Sequence, residues 1–224
     1  YVVDSQLRYF KPHATKIEKS FVEEISHSLS QNSKFINPKF FYDRKGSDLF
    51  ESICSLPEYY PTKTEISILK KLKHDLSSYF DRSMNLVELG SGSSVKTRLL
   101  LDIFTTYQAK TEYFPIDISE ILTESSEQLL KYYDTLHITG IIDTYEGGLE
   151  FLKNYDDKRN LIIFLGSSFG NFTPDDGKSF LEKIFLTMNP GDLFLIGLDL
   201  VKDKNILESA YDDSQGITAK FNLN

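Results

Sequence analysis

The chain has one cysteine, Cys54, among 224 residues. That excludes an internal disulfide framework and fits a reducing cytosol, so a cytoplasmic setting is expected. Apolar runs are short, none near the ~18 residues of a membrane span. No secretory signal is read at the start of the chain, and a first residue Tyr1 in place of methionine suggests residues further upstream. Positive charge is in deficit: 25 Lys and Arg against 33 Asp and Glu leave a formal net charge of −8. With no basic run, nucleic acid is not an expected partner, and a solvated acidic surface accounts for the balance. The four histidines, His13, His27, His74 and His137, are scattered without metal-ligand spacing, so no metal is expected. Internal repeats and low-complexity segments are absent, and the length suits one large domain or a domain with a subdomain.

What is present is a change of pattern near residue 85. Before it, residues 1–84 read as helices and loops. Ile17, Phe21, Ile25 and Leu29 form an i, i+4 stripe, Leu49, Phe50 and Ile53 a shorter one. Thr62-Lys-Thr-Glu65 reads as a capping box before Ile66, Leu69, Leu72 and Leu76. After residue 85, strands are expected at 85–89, 111–116, 137–143, 161–165 and 192–199, and helices at 94–106, 119–133 and 175–188. Thr173-Pro-Asp-Asp supplies a cap and a first-position proline, and Asp203 caps a further helix through Tyr211. Such alternation implies an α/β fold, a mostly parallel sheet with helices on both faces, whose ligands sit at the carboxyl ends of the strands.

The segment Asn85-Leu-Val-Glu-Leu-Gly-Ser-Gly-Ser-Ser-Val-Lys-Thr97 carries the main functional signal. A buried strand runs into a turn with Gly90 and Gly92, where the backbone can fold tightly and approach a ligand. Valine stands where a dinucleotide fingerprint has its third glycine. With the acidic Glu88 beside the turn, the loosened loop suits S-adenosylmethionine, which has no pyrophosphate to cradle. The next strand ends in Asp117, placed to accept hydrogen bonds from ribose hydroxyls. A helix cap is the other use of such an Asp, but Ser119 can fill that cap, so ligand binding is favoured. The buried run Leu161–Leu165 enters Gly166-Ser-Ser-Phe-Gly-Asn-Phe-Thr173, where Asn171 reads from composition as a loop-stabilising residue. The charges of Leu198-Asp-Leu-Val-Lys-Asp203 fit a binding cluster or a solvated strand end.

A series of motifs runs through Phe41-Tyr-Asp-Arg-Lys-Gly-Ser-Asp-Leu-Phe50, Leu56-Pro-Glu-Tyr-Tyr-Pro-Thr-Lys-Thr-Glu65, Val87-Glu-Leu-Gly-Ser-Gly92 and Phe164-Leu-Gly-Ser167. It continues through Gly170-Asn-Phe-Thr-Pro174, Gly191-Asp192, Asp199-Leu-Val-Lys-Asp203, Ala210-Tyr-Asp-Asp213 and Gly216-Ile-Thr-Ala219 with Phe221-Asn222. In these motifs the chain resembles the histidine-specific S-adenosylmethionine-dependent methyltransferase family. These matches run in order from about residue 40 to the last residue. The best-known members trimethylate the α-amino group of L-histidine to hercynine, the first step of ergothioneine synthesis.

The resemblance implies a Rossmann-like class I methyltransferase sheet over residues 85–202. An N-terminal segment, 1–84, and the start of a C-terminal segment, 203–224, then belong to a substrate lobe. Tyr59, Gly90, Lys96 and Asp117 match cofactor-pocket positions, with Gly166 at the pocket floor. Asn171 and Tyr211 match positions holding the substrate's carboxylate and amino group, and Tyr42 a tyrosine lining the substrate site; this supersedes the composition-based reading of Asn171. The family's usual Gly-Asp-Phe after the third strand is replaced within Ile142-Asp-Thr-Tyr-Glu146. Thr144 stands for the acid and Tyr145 for the phenylalanine beside the adenine, and Asp143 would face the other way if the strand continued. The chain ends at Phe221-Asn-Leu-Asn224, where the family continues into a segment that completes the substrate lobe. Two alternatives stand beside histidine methylation: a sibling acting on another amino acid or an indole-derived amine, and a cofactor-binding protein without catalysis.

Overall fold

The computed structural model describes residues 1–11, 21–79, 84–92, 94–118, 121–153 and 155–224. Six strands form one sheet: β1 (Leu7–Phe10), β2 (Asn85–Leu89), β3 (Thr111–Asp117), β4 (Leu136–Ile142), β5 (Asn160–Phe164) and β6 (Leu193–Ile196). Their order is β1-β4-β3-β2-β5-β6, and every neighbouring pair is parallel. The intervening helices are α4 (Val95–Tyr107), α5 (Ile121–Leu130), α6 (Tyr145–Leu152) and α7 (Pro174–Thr187). Outside the sheet lie α1 (Phe21–Ser30), α2 (Arg44–Ser55), α3 (Tyr60–Ser77), α8 (Lys204–Tyr211) and α9 (Ile217–Asn222). This is the expected Rossmann-like α/β architecture.

The period of two along the strands divides the core. Leu86, Tyr113, Ile138, Leu161 and Ile163 point to one face, where they pack with Leu69 of α3, Leu100, Leu101 and Phe104 of α4 and Leu122 and Leu129 of α5. Val87, Leu89, Phe114, Ile116, Ile162 and Phe164 point to the other, against Leu149 and Leu152 of α6 and Phe180 and Ile184 of α7. All five residues of β2 are buried. Each such aliphatic side chain contributes about 1.5–3 kcal/mol on removal from water. A third cluster joins α2 and α3 to α8 and α9 through Ile53, Leu56, Tyr59, Ala210 and Phe221.

The structure corrects several expectations. Residues 1–84 contain a strand: β1 pairs with β4 in the register Tyr9↔Gly140. A strand of four residues that begins Leu-Arg is too short to announce itself by alternation. The capping box at Thr62 does not exist, because α3 starts at Tyr60, with Tyr59 at the N-cap and Pro61 in its first turn. A proline there was the better start signal. Helix α6 escaped notice because Gly147 and Gly148 weaken its pattern. Here they serve close packing: a Cβ at Gly148 would lie 2.5 Å from Ile116. The last strand stops at Ile196, three residues before its expected end. Leu29, expected on a buried stripe, is 40% exposed, while Ile17 and Ser119 lie outside the described residues. The caps at Thr173 and Asp203 form as read, accepting from the backbone N–H of Asp176 and Asn205.

Gly140 tests the placement of β1. A Cβ built there would lie 2.5 Å from the Tyr9 ring and 2.6 Å from Leu122. Gly140→Ala is expected to lower the unfolding free energy by about 1–3 kcal/mol through overpacking. Urea denaturation measures it, and an unchanged midpoint would remove Tyr9 from the sheet's core.

Candidate functional site

The strand order reverses beside β2. Successive crossovers run outward through β3 and β4, then return to place β5 and β6 on the opposite side. The carboxyl ends of β2 and β5 flank that reversal, where such sheets open a crevice. Both exits are left-handed turns: Gly90, Gly92 and Ser94 after β2 have φ of 73°, 47° and 59°, and Gly166 and Ser167 after β5 have 84° and 55°. Two serines in this region are uncommon, since a Cβ crowds the backbone there. The Gly90 N–H donates to the Ile116 carbonyl at 2.9 Å, fastening the turn to β3. The Tyr145 hydroxyl packs on Gly90, where any Cβ would lie 2.9 Å from it. The hydroxyl of buried Ser91 has no partner among the described residues. A buried unsatisfied hydroxyl between two left-handed glycines is the kind of cradle that suits a polar ligand.

Asp117 ends β3 on the same pleat face as Tyr113. Its charge acts on Tyr42, Tyr145 and Glu88, which places it among them. The Tyr59 and Tyr211 rings meet edge to face at 5.8 Å. Tyr42 packs on Phe50 and Phe221 at 5.4 Å each. Burial, then the charges of Cys54, Tyr211 and Asp117, push the Tyr42 phenol up to about 12. Burial and Tyr211 raise Tyr59 further, and burial raises Tyr211 itself. Like any phenol, all three are protonated near neutrality and act as neutral hydroxyls. Tyr211 is half exposed, and Asn171 ends a 3₁₀ turn (Ser168–Asn171) with its residue exposed.

Two expected site residues are placed differently. Glu88 does not face the crevice: β2's alternation turns its carboxylate under α4. There it accepts hydrogen bonds from Thr97 at 2.7 and 2.9 Å and from Tyr113. Burial pushes its acid up to about 7, against the pull of those hydroxyls and of Lys96. Thr144 is the N-cap of α6, its hydroxyl accepting from the Gly147 N–H at 3.2 Å. Since β4 ends at Ile142, Asp143 is not on a continued strand, and its carboxylate accepts from the Thr144 N–H at 2.7 Å.

Sequence reasoning missed two further groups. Glu65 of α3 binds the Gly166 N–H at 2.9 and 3.0 Å and pairs with Lys96 at 2.8 Å. Tyr60 donates to Asp199, which also pairs with Lys202, whose ammonium lies over the Tyr60 ring. Of the two readings of the 198–203 charges, neither is the simple one: Asp199 is held by Tyr60 and Lys202, and Asp203 caps α8. Among the described residues no His, Cys, Asp and Glu cluster fits a metal, and no helix is long and apolar enough to cross a membrane.

The model of the family described as "Histidine-specific methyltransferase, SAM-dependent" matches residues 21–224. The chain belongs to this family. The histidine N-alpha-methyltransferase of Mycobacterium tuberculosis is 39% identical over 202 residues, 90% of this chain and 62% of the relative. Ergothioneine biosynthesis protein 1 of Neurospora crassa is 35% identical over 82% of this chain and 21% of that protein. The 4-dimethylallyltryptophan N-methyltransferase of Claviceps purpurea is 28% identical over 75% of this chain and 50% of its own. The chain thus spans about 62% of the length of the bacterial relative. A crystal structure of a methyltransferase-like protein from Thermobifida fusca YX superposes with a TM-score of 0.53 at 15% identity, covering 89% of this chain and 72% of its own, a likeness of fold. The family is S-adenosylmethionine-dependent, and the left-handed cradle with its unsatisfied Ser91 hydroxyl fits such a cofactor.

Glu88 gives a pH test. Its folded acid lies above the ordinary value of 4.5, so between pH ~4.5 and ~7 the native state holds a proton that the unfolded chain has released. Its contribution is fully present below ~4.5 and lost as pH rises to ~7. The stability difference between the parent chain and Glu88→Gln is expected to shift by a few kcal/mol, on the order of 1.4 per pKa unit, against the parent over that window. Urea denaturation at pH 5 and 7.5 checks it, and a constant difference would contradict a buried neutral acid.

Proposed function

We propose that this chain forms the cofactor site and part of the amino-acid site of an S-adenosylmethionine-dependent N-methyltransferase acting on the α-amino group of L-histidine to give hercynine. The observation that carries this reading is the convergence of Tyr42, Tyr59 and Tyr211, three neutral phenols, beside Asp117 at the sheet's reversal. The 39% identity to a histidine N-alpha-methyltransferase supports the substrate. In this reading Asp117 accepts from the ribose hydroxyls, and Tyr145 lies along the adenine. Gly90, Gly92 and Gly166 let the backbone approach the cofactor, and Lys96 meets its amino-acid end. Thr144 shapes the adenine end as the cap of α6, and Glu88 supports the turn from beneath. Segments 1–84 and 203–224 contribute the substrate lobe through α2, α3, α8 and α9.

The cofactor supplies an electrophilic sulfonium methyl; the chain supplies position. Asn171 and Tyr211 orient the amino acid's carboxylate and amino group, and Tyr42 and Tyr59 wall the site, so that a neutral amine lies in line with the methyl. The raised phenols favour hydrogen bonding without competing negative charge. No chain residue is assigned as the proton acceptor, and no metal is required. The 28% identity to a 4-dimethylallyltryptophan N-methyltransferase supports a second reading, a sibling acting on another amine.

S-adenosylhomocysteine is expected to raise the melting temperature of this chain, since a ligand that binds only the folded state stabilises it; NAD is not. Asp117→Ala should weaken cofactor binding by roughly 1–3 kcal/mol, read by calorimetry, and unchanged affinity would take Asp117 out of the pocket. In a chain extended to the length of its relatives, Asn171→Ala should raise the KM for histidine about tenfold or more and barely change cofactor affinity. Wild-type kinetics with histidine, together with faster methylation of another amine, would favour the sibling.

A further inference from the structure

Glu65 is the one acid of α3 that faces inward at the crevice, and each of its contacts joins a different element. Both carboxylate oxygens accept from the backbone N–H of Gly166, at the exit of β5. One of them holds the Lys96 ammonium of α4 at 2.8 Å. Gly197, just past β6, lies so close that a Cβ there would fall 1.9 Å from Glu65 Oε1. The pair is mostly buried, with Glu65 and Lys96 side chains 14% and 24% exposed. Lys96 in turn lies over the β5 exit: a Cβ at Gly166 would meet its Nζ at 2.9 Å. An ammonium has three donors, so pairing with Glu65 leaves two to offer a ligand.

The strand order says which part of a ligand meets this pair. Reading across β4-β3-β2-β5, the exits carry Tyr145, Asp117, the Gly90–Gly92 turn and Gly166. A ligand with its ribose on Asp117 and its base toward Tyr145 extends its remaining tail over the exits of β2 and β5. That is where Lys96 lies, preset by Glu65. A free lysine on the first turn of a helix samples many rotamers, and fixing it beforehand removes that entropy from the binding step.

We infer that Glu65 is a positioning residue for the cofactor's amino-acid tail: it fixes the Lys96 ammonium and the Gly166 turn so that they select ligands carrying an α-carboxylate. This rests on the cofactor reading above. It is specific to one end of the ligand, and that separates it from a general role in folding.

The test compares two probes on this chain by calorimetry: S-adenosylhomocysteine, and 5′-methylthioadenosine, which keeps the adenosine and sulfur but lacks the amino-acid tail. Glu65→Gln keeps the shape and an acceptor for the Gly166 N–H while removing the charge that holds Lys96. It is expected to weaken S-adenosylhomocysteine roughly 10-fold or more, the scale of a charge-assisted contact, and to leave 5′-methylthioadenosine within about twofold. Lys96→Met should give the same pattern, and the double variant should be little worse than either single one, since the two act as one unit. The melting temperature of each unliganded variant reports folding, and Lys96→Met carries the comparison if Glu65→Gln is unstable. Equal weakening of both probes, or unchanged affinity for S-adenosylhomocysteine, overturns the inference and leaves the cofactor site standing. Failure of the parent chain to bind either probe overturns the cofactor reading, and the inference with it.

Discussion

The reversal of strand order between β2 and β5 is the constraint on which the rest depends. The two strands pair in parallel, but the helices that follow them pack on opposite faces of the sheet, α4 on one and α7 on the other. Their connections must part at the carboxyl end, and the gap between them becomes the crevice. Parting within a few residues requires backbone that ordinary side chains disfavour, which is why five left-handed residues are concentrated at these two exits. The strain in Ser94 and Ser167, of order 1–3 kcal/mol each, is sustained by a sheet whose central strand is wholly buried.

Against this edge stands a lobe held by aromatic rings. Phe41, Tyr42 and Phe50 from the N-terminal part meet Phe221 near the end of the chain, at centroid separations of 5.4–5.9 Å. Tyr59 joins them to Tyr211 through edge-to-face packing. Such pairs add about 0.5–1.5 kcal/mol beyond the area they bury, and they fix the rings of Tyr42, Tyr59 and Tyr211 relative to one another. The same contacts thus stabilise the lobe and, by taking the phenols partly out of water, push their pKa values further above the ordinary tyrosine value.

Two acids beneath the crevice show how environment divides one chemistry into two roles. Among the described residues Glu88 has only hydroxyl partners at hydrogen-bond distance, so desolvation wins and its acid is raised. Glu65 has an ammonium at 2.8 Å and a backbone N–H, which compensate a buried carboxylate. The first lies beneath the turn after β2, and the second ties the exits of β5 and β6 and the helix α4 to α3.

The sequence determined the parts whose cause is local. Alternating apolar runs specified β2 to β5 and the helices α4 and α7, and the Thr173 and Asp203 caps followed from their own neighbours. The paired glycines marked the left-handed turn after β2, Asp117 marked the end of β3, and the ordered motifs identified the family. Tertiary structure decided what depends on distant partners. β1 exists because β4 lacks a side chain at Gly140 to obstruct Tyr9. Helix α6 tolerates two glycines because Ile116 and Asp143 need that space. Glu65 looked like half of a capping box, since its partners are at positions 96 and 166. Glu88 looked like a ligand residue, since only the assembled sheet shows which face of the pleat α4 covers. Periodicity and turn chemistry are written within a few residues, whereas the direction of a carboxylate is set by what the folded chain packs against it.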